Sequence, residues 1–340
     1  VGLMKLLLSG RWKAEVETGW SGESLGSFQQ SSSRSDRSGC QGGGDQRPAT
    51  YVFLHLHKTA GNNLKTHLFG FAKRNNLSLY HSCRVSNGEA ELASAWYRRR
   101  KRKDVDYDCN LHELAAMPEQ RRNEFDWIVG HQHFGVHTLI SSRETRYITF
   151  LRRPLERKIS HFSHFEDLGA NGSVFQTRHA LEVYLLTQNK NYMTKRLAGT
   201  GYTTEFYTDM ISFLIDSDPT YHEMALASAR RNLIENFFFV GLLERFNESL
   251  CILAHLLNTA CYNGLPITHM PFKPERVAAS HKNERLFSSR WARSVDSILR
   301  RRVSLYAEDL DEQVYVAAEI LFRRQLADHP QCVMRASHSP

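Results

Sequence analysis

Apolar residues in this chain gather into short runs between polar turns. Four runs have the length of buried strands: Tyr51–Leu56, Asp126–Val129, Tyr147–Leu151 and Phe237–Leu242. Each is too short for a helix and rich in aromatic or β-branched residues. Elsewhere the period changes. Leu64, Leu68 and Phe71 recur at i, i+4 and i+7, as do Leu155, Ile159 and Phe162, while Phe246, Leu250, Leu253 and Leu257 carry the pattern to i+11. Those spacings are apolar stripes on helices. Strands alternating with helices predict an α/β fold, a central parallel sheet flanked by helices.

The joints between these elements carry the chemistry. The first run enters a turn, His57-Lys58-Thr59-Ala60-Gly61-Asn62-Asn63, and a helix pattern follows at once. Strand, tight turn, helix is how α/β proteins hold a phosphate, with turn amides and the helix N-terminus facing the anion and a lysine neutralising it. The turn is not a Walker A loop: GxxxxGK[ST] is absent and Lys58 precedes the glycine. Arg152 directly follows the third run, and Pro154 suits the first position of a helix. On that helix Arg157, Ser160 and His164 lie off the apolar stripe at spacings of three and four. Arg152 and Ser160 share an anion only if the helix folds back over the strand tip. Ligands of parallel sheets bind beyond the carboxyl ends of the strands, so one crevice is expected to collect the Lys58 loop, His131 and Arg152.

Composition bounds the rest. At 340 residues and 41% hydrophobic content the chain can bury one large core or two small ones. Ser21–Gln46 is rich in Ser and Gly, so residues 1–49 read as a disordered stalk or linker, 50–330 as the globular domain and 331–340 as a flexible tail. The formal charge is +8, but Arg98–Lys103 supplies six positive charges and leaves +2 elsewhere. Such a run binds an acidic polymer or is a solvated, protease-sensitive loop. No C-x-x-C pair occurs among the six cysteines, which argues against structural zinc. Cys83 with Cys109, and Cys251 with Cys261, are candidate bridges in an oxidising compartment; free buried thiols are the alternative. Sequons at Asn76, Asn171 and Asn247 lend mild support to a secretory route. No apolar run reaches the ~18–20 residues of a membrane helix.

Together these segments resemble the Golgi carbohydrate sulfotransferases that use 3′-phosphoadenosine 5′-phosphosulfate (PAPS), most closely the heparan sulfate 2-O-, 6-O- and uronyl enzymes. That branch carries "PKTAGTT" or "HKTGGTT" loops and an "RDPxxRxxSxY" segment, matched here by His57–Asn63 and Arg152–Phe162. Val129–Gly135 is similar to "GHxxFG", Asn191–Gly199 to "NxQTRxLxG", and Phe239–Leu250 to "FVGLTERFDESL". The likeness spans roughly residues 50–260, in the same motif order.

The resemblance implies a P-loop-like sulfotransferase fold and transfer of a sulfuryl group from PAPS to a hydroxyl of a glycosaminoglycan-like acceptor. Lys58 would sit at the bridging oxygen, Thr59, Ala60, Gly61, Asn62 and Asn63 would cradle the 5′-phosphosulfate, and Arg152 with Ser160 would hold the 3′-phosphate. His131 matches the family's "GH" histidine and is the expected general base, its pKa suiting proton acceptance near neutrality. His133 and His137 are the alternatives, His57 is expected only to shape the turn, and Asn191, Thr194 and Lys195 either touch ligand or cap and pack a helix. Neither metal nor nucleic acid is expected. The family's Golgi-lumenal, type II membrane topology implies a signal-anchor upstream of Val1. Four positions depart from the pattern: Asn62-Asn63 stand for a Thr pair, Arg153 for Asp, Met193 for Gln and Lys195 for Arg. They leave a weakened homologue acting as a polyanion-binding module as the main rival, with a phosphate-binding kinase-like enzyme behind it.

Overall fold

The computed structural model describes residues 49–82, 111–140, 143–167, 178–199, 214–258, 261–262, 265–266, 273 and 295–333. Residues 1–48 of the segment expected to be a stalk (1–49), the basic run Arg98–Lys103, Cys83, Cys109 and Asn171 lie outside the described residues.

Five strands form one sheet: β1 Thr50–Leu54, β2 Leu79–His81, β3 Trp127–Gly130, β4 Thr145–Leu151 and β5 Phe237–Leu242, in the order β2-β3-β1-β4-β5. Every pairing is parallel; Val52 sits between Ile128 on one side and Tyr147 on the other. Tyr51 to Leu54 are all buried, as a parallel strand covered on both faces requires. Three of the expected strands differ from the observed ones by one or two residues at one or both ends, and Phe237–Leu242 agrees throughout. The missed strand, β2, has three residues and lies at the sheet edge, too short for a periodic signal.

The helices follow the apolar stripes. In α1 (Gly61–Arg74), Leu64, Leu68 and Phe71 are fully buried against the sheet's core. The stripe of α2 (Pro154–Asp167) instead joins a second cluster with Leu181 and Leu185 of α3 (Arg178–Thr187). Downstream come α4 (Tyr192–Ala198), α5 (Pro219–Glu235), α6 (Phe246–Asn258), α7 (Ser297–Tyr306) and α8 (Asp309–Ala327). Leu299 and Val303 of α7 complete the second cluster.

One expectation changes at the C-terminal end. Cys251 bridges Cys332, not Cys261, across a sequence separation of 81 residues. Cys332 itself is buried. Among the described residues no helix is long and apolar enough to cross a membrane.

Candidate active site

Three neighbouring strands end at one edge of the sheet. The Lys58 loop leaves β1, His131 directly follows β3, and Arg152 directly follows β4. The chain runs to β2 and β3 on one side of β1 and to β4 and β5 on the other, so this edge is a topological switch point.

The loop is held in an unusual backbone. Lys58 and Ala60 both adopt left-handed conformations, with φ of 65° and 68°, at about 1–2 kcal/mol each. Three contacts hold them. The Thr59 hydroxyl donates to the Leu56 carbonyl at 2.9 Å, an Arg152 Nη1 donates to the Lys58 carbonyl at 3.3 Å, and the His57 amide donates to the Tyr192 hydroxyl at 3.3 Å. The Thr59 side chain is therefore turned into the protein, which leaves its amide, and not its hydroxyl, as a ligand donor. Gly61 is needed for space, because a Cβ there would fall 1.8 Å from the His55 ring. Gly61, Asn62 and Asn63 open α1, where helix geometry leaves the amides without intrahelical acceptors and the dipole favours an anion. The Asn63 side-chain nitrogen is buried with no hydrogen-bond partner, a donor that an anion in the loop would satisfy.

Behind the loop stands a cluster of imidazoles. The His131 ring lies 3.8 Å, centroid to centroid, from His57 and 4.1 Å from His55, and His57 stacks 5.9 Å from His161. His131 Nδ1 is 2.7 Å from the His55 carbonyl oxygen. A carbonyl only accepts, so Nδ1 carries the proton and Nε2 is the basic nitrogen. Burial, then the Lys65 charge, hold the His131 pKa down to about 3. Burial likewise holds His55 and His57 well below the usual range, so these rings are neutral near neutrality. The two alternative histidines face other partners: His133 meets the Lys195 carbonyl at 3.3 Å with its pKa lowered by burial to about 4, and His137 meets the Tyr147 hydroxyl at 2.9 Å. His57, expected only to shape the turn, stands edge-on against His131.

Helix α2 closes one flank. Arg157, Ser160 and His161 fall on one face at spacings of three and four, and His161 brings that face to His57. Arg153 displaces an aspartate of the relatives' pattern, yet the turn still meets a carboxylate. The Arg153 amide donates to Glu244 Oε1 at 2.8 Å, and the Tyr315 hydroxyl donates to Oε2 at 2.8 Å.

Helix α4 closes the other flank, and here the packing role wins for three residues. Asn191 Oδ1 accepts from the Leu310 amide at 3.2 Å, the Thr194 hydroxyl donates to Asp311 at 2.8 Å, and Lys195 pairs with Asp216 at 2.6 Å. The residues that face the site are Tyr192 and Arg196, missed because they fall at variable positions of the motif. Their i, i+4 spacing was the available signal. Arg196 lies 5.2 Å from the Tyr192 ring and donates to the His131 carbonyl at 3.0 Å.

The sequence model of the galactose-3-O-sulfotransferase family matches residues 23–265. The chain belongs to that family. It is a Golgi carbohydrate sulfotransferase family, so the class is sulfuryl transfer to a carbohydrate, on the five-stranded parallel sheet described above. The match names the galactose branch and not the heparan sulfate or uronyl enzymes. No protein of curated function matches the chain. Glu308, Asp311 and Tyr315, which buttress the family's motifs here, lie beyond the matched residues. Among the described residues no group of three or more His, Cys, Asp or Glu is arranged to hold a metal ion.

Proposed function

We propose that this protein transfers the sulfuryl group of PAPS to a galactose 3-hydroxyl of a glycan in the Golgi lumen. The observation that carries the reading is the convergence of the Lys58 loop, His131 and Arg152 at adjacent strand ends in a chain of this family. The acceptor oxygen attacks sulfur in line as the bond from sulfur to the 5′-phosphate oxygen breaks. The hydroxyl proton passes to His131 Nε2, and adenosine 3′,5′-bisphosphate leaves. Lys58 and the amides of Thr59 to Asn63 stabilise charge on the departing oxygen. The neutral state that burial imposes on His131 is the one a base needs, and the bound dianion raises its proton affinity when the proton moves. Arg152 and Ser160 serve the nucleotide's 3′-phosphate. Residues 1–49 serve as the stalk of the domain.

The test is transfer of labelled sulfate from PAPS to a panel of galactose-terminated glycans and desulfated glycosaminoglycans, with the position of sulfation analysed. Galactose O3 is the expected site, and Lys58→Ala and His131→Ala are each expected to lose at least about 10²-fold in kcat. Undiminished turnover in both variants would remove the mechanism. Retention on heparin without PAPS turnover would favour the polyanion-binding module.

A further inference from the structure

Helix α1 bears a stripe that the mechanism above does not use. Gly61, Lys65 and Phe69 recur at intervals of four, so they lie on one face. Both ends of the stripe are fixed on strand tips. A Cβ on Gly61 would meet the ring of His55, directly after β1, and the Phe69 ring packs edge-on against His81, the last residue of β2, at 5.5 Å. In the sheet β3 lies between β1 and β2, and His131 directly follows it. Lys65, in the middle of the stripe, is therefore held over the tip of β3. Helical side chains lean back toward the N-terminus, which directs its ammonium toward Gly61 and the mouth of the anion loop. The charges agree with that placement. Burial and then the Lys65 charge lower the pKa of His131, and the same ammonium acts on His55 behind burial and His131.

Lys65 is half-buried and, among the described residues, makes no hydrogen bond or ion pair. A partly desolvated cation of this kind is stabilised when an anion reaches it. It also stands on the far side of His131 from the donor anchors. Lys58 and Arg152 belong to the tips of β1 and β4, whereas Lys65 stands over β3, toward β2. In-line displacement sets the attacking hydroxyl opposite the leaving phosphate. The acceptor therefore enters from the β3–β2 side, where Lys65 waits.

We propose that Lys65 determines acceptor specificity by binding an anionic substituent, a carboxylate or a sulfate ester, on the sugar next to the galactose that is sulfated. An ammonium is a compact charge with three rotatable donors, so it takes either oxyanion without the planar match an arginine requires. The assignment rests on the PAPS reading above and adds to it the class of glycan, an acidic one.

Steady-state transfer from PAPS to three galactose-terminated glycans decides it: a neutral one, one with a hexuronic acid beside the galactose, and one with a sulfate ester on the neighbouring sugar. Wild type should favour at least one acidic glycan over the neutral one by about tenfold in kcat/KM, the value of one charge-assisted hydrogen bond. In Lys65→Met that ratio should fall to about one, through the KM of the acidic glycan. Lys65→Arg keeps the charge and should restore most of the ratio. Circular dichroism shows whether the Met variant is folded, and Lys65→Gln takes its place if it is not. Equal losses on neutral and acidic glycans would put the ammonium on the transferred sulfuryl group and overturn the assignment. A wild-type ratio near one, or a ratio that survives in Lys65→Met, overturns it as well. Wild type that sulfates none of the glycans overturns the PAPS reading itself, and the assignment with it.

Discussion

At the scale of single residues, side chains do more than one task at this site. Gly61 suggests flexibility by its type, but the His55 ring occupies the space a Cβ would need. Gly61→Ala should therefore destabilise the fold by about 2 kcal/mol or more, and thermal unfolding measures it. A Tm within a degree of wild type would show that His55 can move aside. Thr59 was legible as a hydroxyl in an anion loop, yet its hydroxyl closes the turn on Leu56. His131 was legible from its place after a strand. That its tautomer is set by the His55 carbonyl, 76 residues earlier, was not. Its lowered pKa has a consequence for pH dependence. Protonation disables a base, so the acid limb of kcat/KM marks the pKa in free enzyme. With His131 held to about 3, kcat/KM should stay level as pH falls through 6.5, where an ordinary imidazole would lose activity. A limb near 6.5 that vanishes in no His131 variant would point to another base.

At the scale of elements, the short helix α4 is informative. Its N-terminal residue Asn191 is left-handed and provides no side-chain cap. The missing cap comes from α8: Asp311 accepts from the Met193 and Thr194 amides at 3.0 and 2.7 Å, and it is fully buried. By holding α4, Asp311 positions Tyr192 and Arg196 against His57 and His131. Asp311→Asn should cost about 1–3 kcal/mol of stability, since an amide cannot accept all three bonds. It should also lower kcat several-fold at a temperature where the variant is fully folded. Circular dichroism with steady-state kinetics checks both, and full activity in the folded variant would confine Asp311 to stability. Helix positions were legible from periodicity; which helix caps which was not, because the partners lie 118 residues apart.

At the scale of the molecule, the segment beyond the family match closes the structure. Lys158 of α2 pairs with Glu308 just before α8, both fully buried, and the Cys251–Cys332 bridge ties the end of the chain to α6. A bridge across this separation is worth about 4 kcal/mol through the entropy of the unfolded chain. Cys332→Ser should accordingly lower the Tm by several degrees, and reduction of wild type should do the same. Equal Tm values with and without reductant would show that packing alone secures the C-terminal segment. The spacing between Cys251 and Cys261 pointed to a local bridge, but disulfide partners are chosen by where the helices dock and not by proximity in sequence.

The amino-acid sequence alone determined the parallel α/β sheet, the stripes of its main helices and the motifs that meet beyond the strand ends. These follow from local periodicity and from residues adjacent in the chain. Tertiary structure decided which imidazoles share a cluster, that Glu244 meets the Arg153 turn, that α8 caps α4, and that the buried Arg157 packs over the Tyr192 ring. Each depends on contacts between distant segments, whose geometry exists only once the core has packed.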